Sequence, residues 1–163
     1  MKVTRGTVTT ALAVLILVAA LPAAIRDTLE SGRLYLFSRE FLEDLPQRFT
    51  GPGRFRFVLQ PLLAVLLGCR DGLGDLRAGR LPYLSGVLLG GHRRKELLRS
   101  GLAAVRNLLA MGIVLDAVAQ LLIYRQVHPG AALLLGPILI CVPYGLARAL
   151  TYRVAQLVRR VAD

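Results

Sequence analysis

The sequence predicts an all-α integral membrane protein: four transmembrane helices, the second short enough to read also as a re-entrant segment, and one amphipathic helix lying in the interface. Three observations predict it. The 163-residue chain is 55% hydrophobic with a mean hydropathy of +0.56, against roughly 45 to 50% apolar residues in soluble domains. Its apolar residues fall in runs long enough to cross a hydrocarbon core of roughly 30 Å at about 1.5 Å per residue. Its basic residues gather at the ends of those runs. No linker separates two domains, so 1–163 reads as a single membrane domain.

The first span is expected over about 7–25, an uncharged run behind Lys2 and Arg5. A cleavable leader shares that pattern, but Pro22 spoils the small-residue cleavage positions, and an uncleaved anchor is expected. Residues 26 to 56 mix Asp27, Glu30, Glu40, Glu43 and Asp44 with six arginines. Within them Leu34, Phe37, Phe41 and Leu45 recur at helical spacing, which predicts the interfacial helix over about 28–46. Aromatic residues crowd here, as rings seated at headgroup level do. Pro46 and Gly51-Pro52-Gly53 then end the helix and re-aim the chain.

The second span, about 55–69, would be only about 22 Å long as a helix and contains Arg56, Gln60 and Pro61. It crosses only if Arg56 and Arg70 reach opposite interfaces; otherwise it pairs with Leu81 to Gly91 as a re-entrant hairpin. A basic loop over 70–100 follows. The third span, about 102–124, carries Arg106, Asn107, Asp116 and Gln120. A tight turn over Arg125 to Gly130 leads to the fourth, about 131–150, where Pro137 and Pro143 are each placed to kink it. Beyond it Val154, Leu157, Val158 and Val161 alternate with Arg153, Arg159 and Arg160 as a basic amphipathic extension.

Four spans with both termini in the cytoplasm put Lys2, Arg5, the seven bases between Arg70 and Arg99, Arg148 and the tail arginines inside. Arg26, Arg33, Arg39, Arg48, Arg54, Arg56 and Arg125 then face outward, which satisfies the positive-inside bias. Three spans would export the basic tail. The preference for Arg over Lys, nineteen to two, suggests a GC-rich bacterial genome, so the bacterial cytoplasmic membrane is the expected location. A net charge of +11 would raise nucleic-acid binding in a soluble protein. Here the charges flank spans, so the expected partner is the anionic inner leaflet, and nucleic acid is not expected.

Asp116 stands near the middle of its span, where an ionised carboxylate costs about 2.5 to 3.5 kcal/mol on insertion scales. Gln120 follows one turn later on the same face. With Arg106 and Asn107 nearer the inner end, these four form a candidate intramembrane polar site: a proton or cation site in one reading, a helix fastener in the other. Arg106 and Arg148 read as cations snorkelling to the inner interface. The second candidate is a lipid or partner contact made by Arg70, Asp71, Asp75, Arg77, Arg80, Arg93, Arg94 and Lys95, read as a Gly-rich turn against lipid phosphates or as a docking surface for an acidic partner.

Asp71-Gly72 with Asp75 and Arg77 is similar to the signature of CDP-alcohol phosphotransferases, lipid enzymes with paired metal-binding aspartates. Gly68 stands where the first aspartate belongs, and no later acid pair follows, so the resemblance does not extend to the activity. His92 and His128 fall in loops on opposite expected sides, with no Cys/His set beside either. Cys69 and Cys141 lie within apolar segments and form no CxxC. No phosphate-binding glycine motif or catalytic triad pattern is present, and no cofactor is expected. Gly86, Gly90, Gly91, Gly136 and Gly145 offer small surfaces for close helix approach, in self-association or with a membrane-protein partner. The sequence therefore predicts a non-enzymatic accessory or scaffold subunit of a membrane complex, or alternatively a small oligomeric transporter or ion-coupled permease using Asp116. A lipid-modifying enzyme ranks third.

Overall fold

The computed structural model describes residues 5–32, 35, 38–89, 91 and 94–162. Every regular element among them is a helix: α1 (Arg5–Ser31), α2 (Arg39–Thr50), α3 (Arg56–Arg77), α4 (Tyr83–Leu89), α5 (Arg94–Tyr124) and α6 (Pro129–Ala162). Within α1, α3, α5 and α6, four stretches are long and apolar enough to cross a membrane: Gly6–Glu30, Arg56–Arg77, Arg94–Tyr124 and Pro129–Val161. Lys2, Arg33, Leu34, Phe37, Gly90, His92 and Arg93 lie outside the described residues.

The helices are longer than their apolar runs. The second, expected over about 55–69, continues to Arg77, so most of the basic stretch expected as a loop over 70–100 is helical, with α4 and the start of α5 completing it. Glycines and aspartates that favour loops in isolation stay helical here because Gly68 and Gly72 lie flat against α6. The end is set by Gly79 at φ 63°. The Gly79 N–H donates to the Leu76 carbonyl and the Arg80 N–H to that of Asp75, a glycine-terminated helix end that satisfies orphan carbonyls. Helix α2 likewise runs through Pro46, which was expected to end it, and stops at Thr50. The carbonyl that Pro46 leaves without a donor belongs to Leu42, on the exposed side, where solvent or headgroups serve it. Ser38 caps the start by accepting from the Phe41 N–H at 3.3 Å.

By contacts the chain divides into two compact units, Met1–Val58 with Asn107–Ile138, and Leu59–Arg106 with Leu139–Asp163. In the first, small residues let helices approach: Ala13, Ala110, Ala117, Ala119, Ala131 and Ala132 are buried. Gly51 lies against Ile123, Gly53 against Ala119, and Gly136 against Ile113. Helix α5 ends at Tyr124 with Arg125 left-handed at φ 59°. The α6 helix starts on Pro129, whose missing N–H costs nothing in a first turn.

In the second unit Ala64, Val105, Ile140, Tyr144, Ala147 and Tyr152 are buried. A Cβ built on Gly68 would stand 2.5 Å from the Tyr144 carbonyl oxygen, 2.9 Å from the Ala147 Cβ and 3.0 Å from the Arg148 nitrogen. Backbone cannot step aside as a side-chain tip can. Gly68→Ala is expected to cost about 1 to 3 kcal/mol by overpacking. Gly74 sits in the same helix with open space beside it, so Gly74→Ala is expected to gain about 0.5 to 1 kcal/mol from helix propensity. Thermal midpoints in detergent should move in opposite directions for the two; a parallel shift would remove the close α3–α6 seat.

Candidate functional site

Among the described residues each unit holds a buried polar cluster. In the first unit Asp116, 2% exposed, projects from α5 about 12 Å of helix before its end at Tyr124. The structure brings Gln120 to it: Gln120 Nε2 donates to Asp116 Oδ2 at 2.5 Å, and Gln120 Oε1 accepts from the His128 N–H at 2.6 Å. Two arginines complete the cluster. Arg56 Nη1 stands 2.6 Å from Asp116 Oδ1, and Arg48 Nη1 3.6 Å from the same oxygen. Both approaches lie off the hydrogen-bonding directions, so the pairing is Coulombic. Arg48 Nε and Nη1 and Arg56 Nε and Nη2 have no acceptor among the described residues.

Two guanidinium groups against one carboxylate leave a positive charge to balance. Arg48 Nη2 donates to the Tyr35 hydroxyl at 3.2 Å, and that hydroxyl donates to the Asp44 carboxylate. Burial and the bond to Asp44 hold the Tyr35 hydroxyl well above the usual phenol range, so it remains a donor and relays the Asp44 charge inward. Arg48 also stacks over the Tyr124 ring at 5.2 Å, and Tyr124 donates to the Asp44 carbonyl at 3.0 Å. The helix expected over about 28–46 was to carry one apolar stripe and one charged face. It buries Phe41 and Arg48, with Leu45 half-buried, and leaves Leu42 and Phe49 exposed. A charged residue moves inward because its counter-charge is there.

His128 closes the cluster. Its ring stacks on Tyr35 with centroids 3.7 Å apart and planes at 17°. Burial, followed by the nearby Arg48 charge, pushes the imidazole below its ordinary value of 6.5, with Asp27, Asp44 and Glu40 pulling the other way. As pH falls below about 6.5 the unfolded chain takes up a proton that the folded ring resists. Stability from this group is complete above that value and is lost as pH drops toward the folded value. The thermal midpoint in detergent should be flat from about pH 7 to 8 and fall on acidification through about 6.5, with His128→Phe reducing the slope. An unchanged slope in that variant would remove His128 from the pH response.

The second unit holds a tighter pair. Arg148, 3% exposed, meets Asp75, 2% exposed, as a fork: Nε to Oδ2 at 2.6 Å and Nη2 to Oδ1 at 2.9 Å. Arg148 Nη1 donates to the Tyr144 hydroxyl at 2.8 Å, which donates to Asp71 Oδ2 at 2.7 Å. The Tyr83 ring covers the guanidinium at 4.4 Å. Bidentate Arg–carboxylate geometry of this kind is the strongest form of ion pair. Arg148, expected to snorkel, is consumed internally.

The two candidate sets thus separate. Asp116 and Gln120 meet, whereas Arg106 and Asn107 belong elsewhere: Arg106 is exposed, and Asn107 lies against Gly6. Asp75 faces inward as the counter-ion of Arg148, and half-buried Asp71 accepts from Tyr144, while Arg70, Arg77, Arg80, Arg94 and Lys95 stay exposed. Arg80 reaches Asp75 at 3.5 Å, but its side chain is 64% exposed, so solvent screens that contact. Arg93 is outside the described residues. Arg48, Tyr35 and Tyr144 were not anticipated, and Arg56, expected at an interface, is 5% exposed; the signal for the arginines was a mid-span acid whose nearest base on its own helix, Arg106, stands about 15 Å of helix away. Among the described residues no three His, Cys, Asp or Glu side chains come together as a metal site. Known protein families, curated proteins and solved structures give no match to the chain.

Proposed function

We propose that the chain crosses a bacterial cytoplasmic membrane four times, with both termini in the cytoplasm, and serves as a non-enzymatic accessory or scaffold subunit of a membrane complex. The observation that carries this reading is the engagement of both deeply buried carboxylates by arginine, Asp116 at 2.6 Å and Asp75 through two bonds. They fasten helices, as polar groups in lipid commonly do. An ion-coupled permease built on Asp116 would have to displace Arg56 at every cycle. In the proposed topology α2 lies in the outer interface with Leu42 and Phe49 toward lipid. The exposed Arg70, Arg77, Arg80, Arg94 and Lys95, with the tail bases Arg153, Arg159 and Arg160, meet the anionic inner leaflet or an acidic partner. Only 6% of the apolar window of α1 is buried, which leaves a long face for a neighbouring helix.

The test is purification from native membranes in mild detergent followed by native mass spectrometry. A stoichiometric second protein, lost from the Arg77→Ala/Arg80→Ala variant, is the expected result. A homogeneous assembly of this chain alone would overturn the accessory reading in favour of an oligomeric transporter.

A further inference from the structure

A cleft of about 980 Å³ opens in the first unit where the end of α1, the start of α2 and the α5–α6 turn meet. It is at the upper end of the size range for small-molecule sites, roughly 300 to 1,000 Å³. Its lining is divided. Leu21 and Ile25 of α1, with Leu133 of α6, form an apolar wall. Among the described residues the lining also carries Asp27 and Glu30 of α1 and Glu40 of α2, against one guanidinium, Arg39.

That charge balance runs against the composition of the chain, which has 21 basic and 10 acidic residues. Three of the ten acids gather on this one cleft, while Arg48, close in sequence, is turned into the buried cluster at Asp116. Asp27 accepts from the Gln126 side chain. Glu30 and Glu40 are exposed and form no ion pair among the described residues. His128, also on the lining, adds no charge near neutral pH, because burial holds its imidazole low. The described lining therefore combines an apolar surface with a net negative charge in a strongly positive protein, which favours cations over anions.

We propose that this cleft binds an amphiphile with an ammonium headgroup, its chain along Leu21, Ile25 and Leu133 and its cation between Glu30 and Glu40. A membrane aminophospholipid and a free alkylamine share that chemistry, and the lipid would in addition place its phosphate within reach of Arg39. The inference goes beyond the accessory-subunit reading, because no residue of the cleft is asked to touch a protein partner.

The experiment is native mass spectrometry of the purified protein in a neutral detergent, titrated separately with phosphatidylethanolamine, phosphatidylglycerol and dodecylamine. Wild type should hold the ethanolamine lipid about tenfold more tightly than the glycerol lipid, and Glu30→Gln/Glu40→Gln should abolish the preference. Glu96→Gln, an exposed acid outside the cleft, should keep it. Binding of dodecylamine with the same dependence on Glu30 and Glu40, without retention of the lipid, supports the site and identifies a free amine as its source. Equal retention of both lipids with no amine binding, or a preference untouched by the double substitution, overturns the proposal. Both glutamates are exposed, and unchanged circular dichroism of the variant checks that it folds.

Discussion

Asp116→Asn is expected to destabilise the protein by about 3 to 5 kcal/mol, the usual cost of removing one partner from a buried ion pair. Asparagine keeps the size of the side chain and can still accept from Gln120, so the loss isolates charge. Arg48 and Arg56 would then share a pocket with no carboxylate at its centre, and only the Asp44 charge, relayed through Tyr35, would remain to balance them. The measurement is the thermal midpoint and the yield of monodisperse protein in detergent. Arg56→Met placed on top of Asp116→Asn should recover part of the loss, because it removes the cation left stranded at 2.6 Å. A folded, undiminished Asp116→Asn protein would contradict the fastening role and return weight to a transport site. The large predicted loss also means that inactivity of this variant alone would not demonstrate transport.

Arg148→Ala and Asp75→Asn should each cost a similar 3 to 5 kcal/mol, roughly, for the same reason in the second unit. The stronger test is the double change Asp75→Leu/Arg148→Met. Replacing a buried pair by apolar groups of similar size is often neutral or stabilising by about 1 to 4 kcal/mol, and an apolar pair also lightens the insertion cost of a span. The single and double variants should therefore differ in sign or nearly so, with Tyr144 and Asp71 left to pair with each other. Additive losses would show that the fork at 2.6 and 2.9 Å contributes no coupling. Differential scanning fluorimetry on the three proteins resolves this.

The long helices were legible because hydropathy is local: each apolar run marks its own helix. Their ends were not. The Arg70 to Arg80 stretch reads as a loop from its glycines and aspartates, and only the packing of Gly68 and Gly72 on α6, contributed from far along the chain, makes helix the better state there. Gln120 beside Asp116 could be read from a four-residue spacing. The arginines that hold Asp116 lie 60 and 68 positions before it by residue number, and no periodicity connects them. The same holds for Arg148, which reads as snorkelling until Asp75 is found inside the same unit. Charge balance within spans was the available clue, since a buried acid with no base within reach on its own helix must find one on another.

The Asp75–Arg148 pair links positions 73 residues apart, and that separation bears on how the protein is made. At roughly 5 to 20 residues per second, α3 is finished several seconds before Arg148 exists. During that interval Asp75 has only the solvent-screened Arg80 beside it, and the apolar stretch of α3 is the least apolar of the four. The helix that most needs a partner is thus completed well ahead of it. The packing of α3 against α6 is therefore expected to be a late event of biogenesis, and chains cut short before Arg148 are expected to be the less stable ones, which pulse-chase of truncated chains would show as faster turnover.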